Sequence, residues 1–78
     1  MSDNTPKAKL DLSGLLCPLP VLKARKRLET MAPGDVLEVV ATDPMSMIDM
    51  PHFCNEQGHT LLLAEKCFEG FQFRIRRR

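Results

Sequence analysis

The residues best suited to chemistry lie at positions 17 to 20, which read Cys-Pro-Leu-Pro. A cysteine becomes a nucleophile when it loses its proton. With Pro18 at the first helical position, Cys17 is predicted to be the N-cap, where the helix dipole favours a thiolate. Because Pro18 and Pro20 have no N–H, only Leu19 in the first helical turn has a donor for the sulfur. The pattern therefore predicts a thiol at the helix terminus whose thiolate form is only weakly stabilised by backbone N–H groups.

The same prolines restrict how the Cys17 side chain is displayed. Each fixes its own backbone φ, and Gly14 lets the chain turn sharply before the cysteine. This arrangement favours a thiol held at an edge, where a reactant from outside can reach it. Cations that could attract an acidic partner follow along the helix: Lys23, Arg25, Lys26 and Arg27. The structural alternative is that Cys17 is a small buried residue, as free cysteines often are.

The other cysteines and the histidines offer less. No Cys-x-x-Cys pair is present, which excludes a thioredoxin-type motif and a four-thiolate zinc site. We expect Cys54 to pack in the core and Cys67 to be exposed in a hairpin turn. His52 and His59 are not adjacent to Cys17, and no substrate cleft is predicted, which argues against a Cys-His hydrolase. The spacing of His52, Cys54 and His59 does not converge on one helix face, so no metal site is predicted.

Composition sets broad limits on the function. A chain of 78 residues has room for a single domain, with residues 1–7 predicted to form a flexible tail. Lys and Arg total 11 against 10 Asp and Glu, and there are 4 Phe, no Trp and no Tyr. So few aromatic side chains argue against direct RNA binding, despite the arginines that end the sequence. With no signal-like start and no membrane-length apolar run, the chain is predicted to be cytoplasmic.

Residue periodicity predicts four elements in the first three quarters of the chain. Alternating apolar and polar residues indicate a strand over 9–13, and β-branched residues indicate another over 36–42. Between them, apolar residues at helical spacing predict a helix from Pro18 whose buried face is Val21, Ala24, Leu28 and Met31. A second helix is predicted from an Asp43 cap to about Gln57, with Gly58 as its left-handed stop.

The remaining residues predict a hairpin and the overall fold. Pro51 is expected to kink the second helix, or to restart it with Asp49 as a second cap. Strands over 59–66 and 70–76 are joined by a turn beginning at Cys67. The order is therefore β-α-β-α-β-β. Since two right-handed crossovers place both helices on one face of the sheet, the predicted class is an α/β (α+β) two-layer sandwich.

Four ordered sequence blocks resemble one known family. The segment LDLSGLLCPLPVLKARKRL is similar to the start of the TusA-like (SirA-like) sulfur carriers, whose mark is Cys-Pro-x-Pro after a first strand and a glycine. The segments GDVLEVVATDP, DMPHFCNEQGH and FQFRIRRR match later parts of that family in order and spacing. The resemblance covers residues 10–78 and implies a four-stranded mixed sheet with two helices.

The resemblance also implies a function. In the family, the motif cysteine, here Cys17, accepts sulfane sulfur as a persulfide from a cysteine desulfurase or another donor. It then relays the sulfur to an acceptor protein, in tRNA 2-thiouridine modification, sulfur oxidation, thiosulfate use or molybdenum-cofactor supply. The resemblance thus implies a sulfur-transfer carrier rather than a self-contained enzyme. Such a carrier requires no cofactor, because transpersulfidation needs only a thiolate that the donor can reach. The alternative from another class is a regulatory or scaffolding module whose cysteine is structural.

Overall fold

The computed structural model describes residues 5–78, and the order of its elements confirms the prediction. The elements are β1 (Ala8–Leu12), α1 (Leu19–Glu29), β2 (Val36–Ala41), α2 (Ser46–Gln57), β3 (Thr60–Cys67) and β4 (Gly70–Arg76). Residues 1–4 of the predicted tail lie outside the described residues. Lys7, which the prediction also placed in the tail, donates its backbone N–H to the Val36 carbonyl oxygen at 2.8 Å. This end of the tail is therefore fixed to the sheet.

The four strands form one mixed sheet in the order β1-β2-β4-β3. Strands β1 and β2 are parallel, and β4 runs antiparallel to both of its neighbours, β2 and β3. The carboxyl ends of β1, β2 and β3 consequently lie at the same end of the sheet. The segment that follows β1, the segment that follows β2 and the β3–β4 turn all meet there, which is where the Cys-Pro-Leu-Pro motif lies.

The core lies between the two helices and one face of the sheet. Its buried residues include Ala24 and Leu28 of α1, Met50, Phe53 and Cys54 of α2, and Leu37, Val39, Phe73 and Ile75 of the sheet. Cys54 packs in this core, as predicted. On the opposite face of the sheet, Glu38 accepts hydrogen bonds from Gln72 at 2.8 Å and from Arg74 at 3.3 Å. Gln72 and Arg74 therefore lie on the outer face of β4, while Phe73 and Ile75 face the core.

The start of α2 differs from the prediction by a short turn. Asp43 and Pro44 precede the helix, because the Ser46 N–H donates to the Asp43 carbonyl oxygen at 2.9 Å and closes a turn there. The Asp43 carboxylate still accepts a hydrogen bond from the Met45 N–H at 3.1 Å. Gly58 ends α2 with a φ of 78°, as predicted. Neither helix described within residues 5–78 has the length and apolar character needed to cross a membrane.

Helix α2 continues through Pro51, so the predicted restart with Asp49 as a cap is wrong. Pro51 has no N–H and removes one hydrogen bond from the helix. The helix persists because the residues around the proline, Met50, Phe53 and Cys54, are buried against the sheet, and tertiary packing supplies most helical stability. Asp49 is left free to use its side chain elsewhere.

Ser46, the first residue of α2, carries a testable stability prediction. Its side chain is 2% exposed, and its Oγ has no hydrogen-bond partner among residues 5–78. A buried hydroxyl without a partner is unfavourable, and alanine has the higher helix propensity. We expect Ser46→Ala to raise the free energy of unfolding by about 1 kcal/mol in urea titrations.

The matched control for this prediction is Ser13→Ala. Ser13 is exposed, and its hydroxyl donates to the Asp11 carboxylate at 2.6 Å, so its replacement should leave stability unchanged or slightly lower. A Ser46→Ala variant less stable than the parent would show that the Ser46 hydroxyl makes a stabilising contact.

Candidate functional site

Cys17 lies exposed in the segment between β1 and α1. Gly14 adopts a φ of 83°, a conformation that favours glycine, and it turns the chain away from β1. The Gly14 N–H donates to Thr42 Oγ1 at 2.8 Å. This bond ties the turn to the end of β2, so the cysteine segment is anchored on two neighbouring strands.

Cys17 is not the N-cap of α1, contrary to the prediction. The Pro18 carbonyl oxygen accepts a hydrogen bond from the Leu22 N–H at 3.2 Å, which makes Pro18 the cap. The Leu19 N–H donates to the Leu16 carbonyl oxygen at 2.9 Å, so it does not serve the sulfur. The Cys17–Pro18 peptide bond is cis. Helix-terminal N–H groups therefore do not provide the predicted support for a thiolate.

Two carboxylates hold Cys17 instead. The Cys17 thiol donates to Asp49 Oδ2 at 2.9 Å, and the Cys17 backbone N–H donates to Asp43 Oδ2 at 2.6 Å. The hydrogen bond to Asp49 raises the pKa of Cys17 above its ordinary value, and desolvation and the negative charges of Asp49 and Asp43 act in the same direction. The site accordingly favours a protonated thiol at neutral pH.

Sequence reasoning missed Asp49 as a site residue. It lies 32 positions from Cys17 along the chain and was assigned only a helix-capping role. The available signal was topological: both residues follow parallel strands and so lie at one end of the sheet. Which way Asp49 points depends on how α2 packs, and no local motif encodes that.

A groove of about 290 Å³ runs from Cys17 along the seam between the helices. The sequence predicted no cleft, and the groove arises because α1 and α2 lie side by side on the sheet. Its walls include Val21, Leu22 and Arg25 of α1 and His52, Phe53 and Glu56 of α2. The groove therefore offers an apolar floor with charged groups at its sides, and Cys17 lies at one end.

Large apolar side chains are exposed close to Cys17 and Asp49 along the chain. They belong to the segments that carry Cys17 and Asp49, and we call them the apolar rim: Leu16, Leu19, Leu22, Met45 and Ile48. Exposed apolar residues grouped in this way are typical of protein-binding surfaces. The thiol thus lies within a surface suited to contact with another protein.

The comparisons with known proteins decide the family. Residues 8–77 match the family described as Sulfurtransferase TusA. The chain belongs to the TusA family. A Pseudomonas putida relative named Sulfur carrier protein TusA is 42% identical over 78 residues, which cover 100% of this chain and 98% of the relative. The protein of the same name from Allochromatium vinosum is 44% identical over 69 residues, 88% of this chain and 91% of its own.

A solved structure agrees with the TusA-family fold. The crystal structure of a SirA-like protein from Desulfitobacterium hafniense matches with a TM-score of 0.75 at 21% identity. The match covers 88% of this chain and 93% of that one. The predicted two-layer sandwich and the predicted family are both confirmed.

In this TusA-family chain, the cationic side chains of α1 differ in their exposure to solvent. Lys23, Arg25 and Lys26 are exposed and Arg27 is half-buried. Arg25 lines the groove and pairs with Glu29 at 3.6 Å. These residues give the outer surface of α1 a basic character beside the thiol.

The arginines at the end of the chain contribute to the fold. Arg77 donates its Nε–H to the Leu28 carbonyl oxygen at 2.9 Å, near the end of α1. Arg74 pairs with Glu38 at 3.3 Å on the outer face of the sheet. Both side chains therefore have partners within the fold.

The other two cysteines of this TusA-family chain are less suited to the chemistry. One is a poor nucleophile, and the other is not among the residues that line the groove. Cys54 is buried, and burial raises its pKa to about 11. Cys67 is the last residue of β3 and is half-buried, whereas the sequence predicted an exposed turn residue. It ends the strand because it still pairs with Gly70 across the hairpin. Cys17 is the exposed cysteine among the three.

The two histidines have partners other than Cys17. His59 Nδ1 accepts a hydrogen bond from the Arg78 backbone N–H at 3.0 Å, which fixes the end of the chain. His52 lies in the groove but pairs with Glu56 at 3.0 Å. Across residues 5–78, no cluster of His, Cys, Asp and Glu has the arrangement to hold a metal ion.

Proposed function

We propose that the protein is a sulfur carrier, which accepts sulfane sulfur as a persulfide on Cys17 and passes it to an acceptor protein. The observation that carries this proposal is the exposed Cys17 thiol at the end of the groove, surrounded by the apolar rim. The relatives from Pseudomonas putida and Allochromatium vinosum, which are named Sulfur carrier protein TusA, support it.

The proposed chemistry needs no oxidant and no cofactor. The Cys17 thiolate attacks the outer sulfur of a donor persulfide, the sulfur–sulfur bond of the donor breaks, and the donor leaves as a thiolate. The new bond joins Cys17 to the transferred sulfur. In delivery, an acceptor thiolate attacks that same outer sulfur, and Cys17 leaves as the thiolate. The two steps are redox-neutral overall.

The residues around Cys17 have supporting roles in this proposal. Gly14 provides the turn, and Pro18 and Pro20 give a stiff support, with Pro18 capping α1 and Pro20 buried in its first turn. An open groove suits a carrier, because its donor and its acceptor must each reach the same sulfur. The donor is proposed to be a cysteine desulfurase or another persulfide-bearing protein, docking on the apolar rim and on the cations Lys23, Arg25, Lys26 and Arg27.

The exposure of Cys17 also weighs against the structural alternative. A cysteine that served only to pack a regulatory module would be expected in the core, as Cys54 is. The thiol of Cys17 instead contacts a carboxylate at the surface. A redox environment that keeps thiols reduced suits such a carrier, so we place it in the cytoplasm.

Among sulfur-transfer routes, we propose tRNA 2-thiouridine modification. The test is to express the gene in a bacterium that lacks its own TusA-family gene and to measure 2-thiouridine in hydrolysed tRNA by mass spectrometry. The expected result is 2-thiouridine restored well above the level of the empty vector. A protein that takes up sulfur in vitro but restores none would belong to another sulfur-transfer route.

A further inference from the structure

The two carboxylates beside Cys17 have no cation of their own. Neither Asp43 nor Asp49 forms an ion pair with any of residues 5–78. Arg25, on the wall of the groove, pairs with Glu29, and the other basic side chain there, His52, contacts Glu56. Negative charge is thus left uncompensated at the point where a partner must approach the sulfur.

We propose that Asp49 keeps Cys17 protonated in the free carrier, and that a lysine or arginine of the docked partner pairs with Asp49 and releases the thiolate. This inference rests on the proposed sulfur-carrier function and assigns the control of that function to one residue. It also identifies the partner surface by its chemistry, as one with a cation placed to reach the Asp49 carboxylate.

The physical reason is the short contact between the two groups. The Asp49 carboxylate stabilises the protonated thiol because it accepts a hydrogen bond from Cys17 Sγ at 2.9 Å. It destabilises a thiolate by repulsion between like charges. A cation beside Asp49 reverses the second effect, because it compensates the carboxylate and attracts the thiolate. Asp43 adds to the repulsion, while Arg25, His52 and Glu56 are the other charged or titratable groups on the groove.

The proton and the sulfur follow a consistent course. On docking, the proton leaves Cys17 for water, which leaves the Cys17 thiolate as the nucleophile. A more basic thiolate is the stronger nucleophile once formed, and it is the slower leaving group. The same carboxylate would therefore protect the free thiol from dissolved electrophiles and help the loaded carrier to retain its sulfur.

The first test compares the pH dependence of Cys17 alkylation in the parent and in Asp49→Asn, with iodoacetamide as the probe and peptide mass spectrometry as the readout. Asn keeps the size of the side chain and removes its charge, so the midpoint should move to lower pH. If the midpoint falls by one pH unit, the thiolate fraction at neutral pH rises about tenfold and the intrinsic reactivity of the thiolate falls about threefold. Alkylation at neutral pH should then be about threefold faster.

Two further variants control this test. Glu56→Gln removes the same charge from the same groove, but Glu56 pairs with His52, so the Cys17 midpoint should not move. Asp49→Glu keeps a carboxylate and should retain a midpoint above that of Asp49→Asn. Urea unfolding of each variant confirms that the fold is intact. An unmoved midpoint in folded Asp49→Asn, or an equal change in Glu56→Gln, would overturn the inference.

The second test concerns the cation, with a lysine hexapeptide at low salt as the probe. The peptide should speed alkylation of the parent at neutral pH and have much less effect on Asp49→Asn. Equal acceleration of both proteins would overturn the cation-release part of the inference. Because alkylation requires no sulfur donor, these outcomes stay separate from the proposed function, which fails only if Cys17 takes up no sulfur.

Discussion

The Cys17→Ser variant is expected to carry no sulfane sulfur after incubation with a persulfide donor, while the parent carries about one equivalent. Serine preserves the size of the side chain, but its hydroxyl does not attack a sulfane sulfur at neutral pH. The measurement is cyanolysis of the desalted protein, in which cyanide removes the outer sulfur as thiocyanate. The expected loss is complete, because the proposal assigns the sulfur to this one atom.

Stability and a second cysteine variant control that result. Cys17 is exposed, so its replacement should change the free energy of unfolding by less than about 0.5 kcal/mol. Cys67→Ser alters the half-buried cysteine at the end of β3 and should leave sulfur loading at the parent level. If Cys17→Ser carried sulfur and Cys67→Ser did not, the sulfur would be bound by Cys67, and the assignment to Cys17 would be wrong.

Replacing Phe73 by alanine is expected to give the largest loss of stability. Phe73 is 0% exposed and lies on β4, where it is paired with Val39 of β2 and Ala64 of β3. Its removal leaves a cavity between the sheet and the helices, at a cost of about 3–5 kcal/mol. The free energy of unfolding of native proteins is about 5–15 kcal/mol, so this variant would lose a large part of its stability. The midpoint temperature of thermal unfolding should fall by at least about 12 °C.

The hairpin provides a matched control in Phe68→Ala. Phe68 lies at the β3–β4 turn and is fully exposed. Its replacement removes the same atoms from water rather than from the core, so the free energy of unfolding should change by less than about 0.5 kcal/mol. Equal losses in the two variants would contradict a core in which Phe73 is packed between the sheet and the helices.

Local sequence patterns were sufficient for the order of elements. Apolar residues at helical spacing predicted α1, the β-branched run predicted β2, and Gly58 predicted the end of α2 because its left-handed φ favours glycine. Each of these features depends on residues within a few positions of one another, so the sequence carries them directly. The burial of Cys54 was expected on other grounds, since free cysteines are usually buried.

The features that failed depend on backbone hydrogen bonds and on packing. Cys17 was predicted as the helix cap, but the Pro18 carbonyl oxygen accepts the first helical hydrogen bond. One of the two alternatives predicted at Pro51 was a restart of α2 with Asp49 as a cap, but the buried residues around Pro51 hold the helix together. In both cases the local sequence allows two solutions, and the tertiary structure selects one.

The electrostatics of the thiol could not be predicted from the motif alone. The Cys-Pro-Leu-Pro segment suggested a thiolate at a helix terminus, whereas Asp49 raises the pKa of Cys17. That effect arises from one hydrogen bond between residues 32 positions apart. Its existence depends on the crossover that carries α2 back over the sheet, and on the rotation of α2 about its own axis.

The most direct test of the central claim is the intact mass of the reduced protein after incubation with a cysteine desulfurase and cysteine, followed by peptide mapping. The proposal predicts the added mass of one sulfur atom, located on Cys17 and removed by dithiothreitol. The contradicting result is a Cys17 that stays unmodified with the desulfurase, with thiosulfate and with polysulfide, or a sulfur that maps to Cys54 or Cys67.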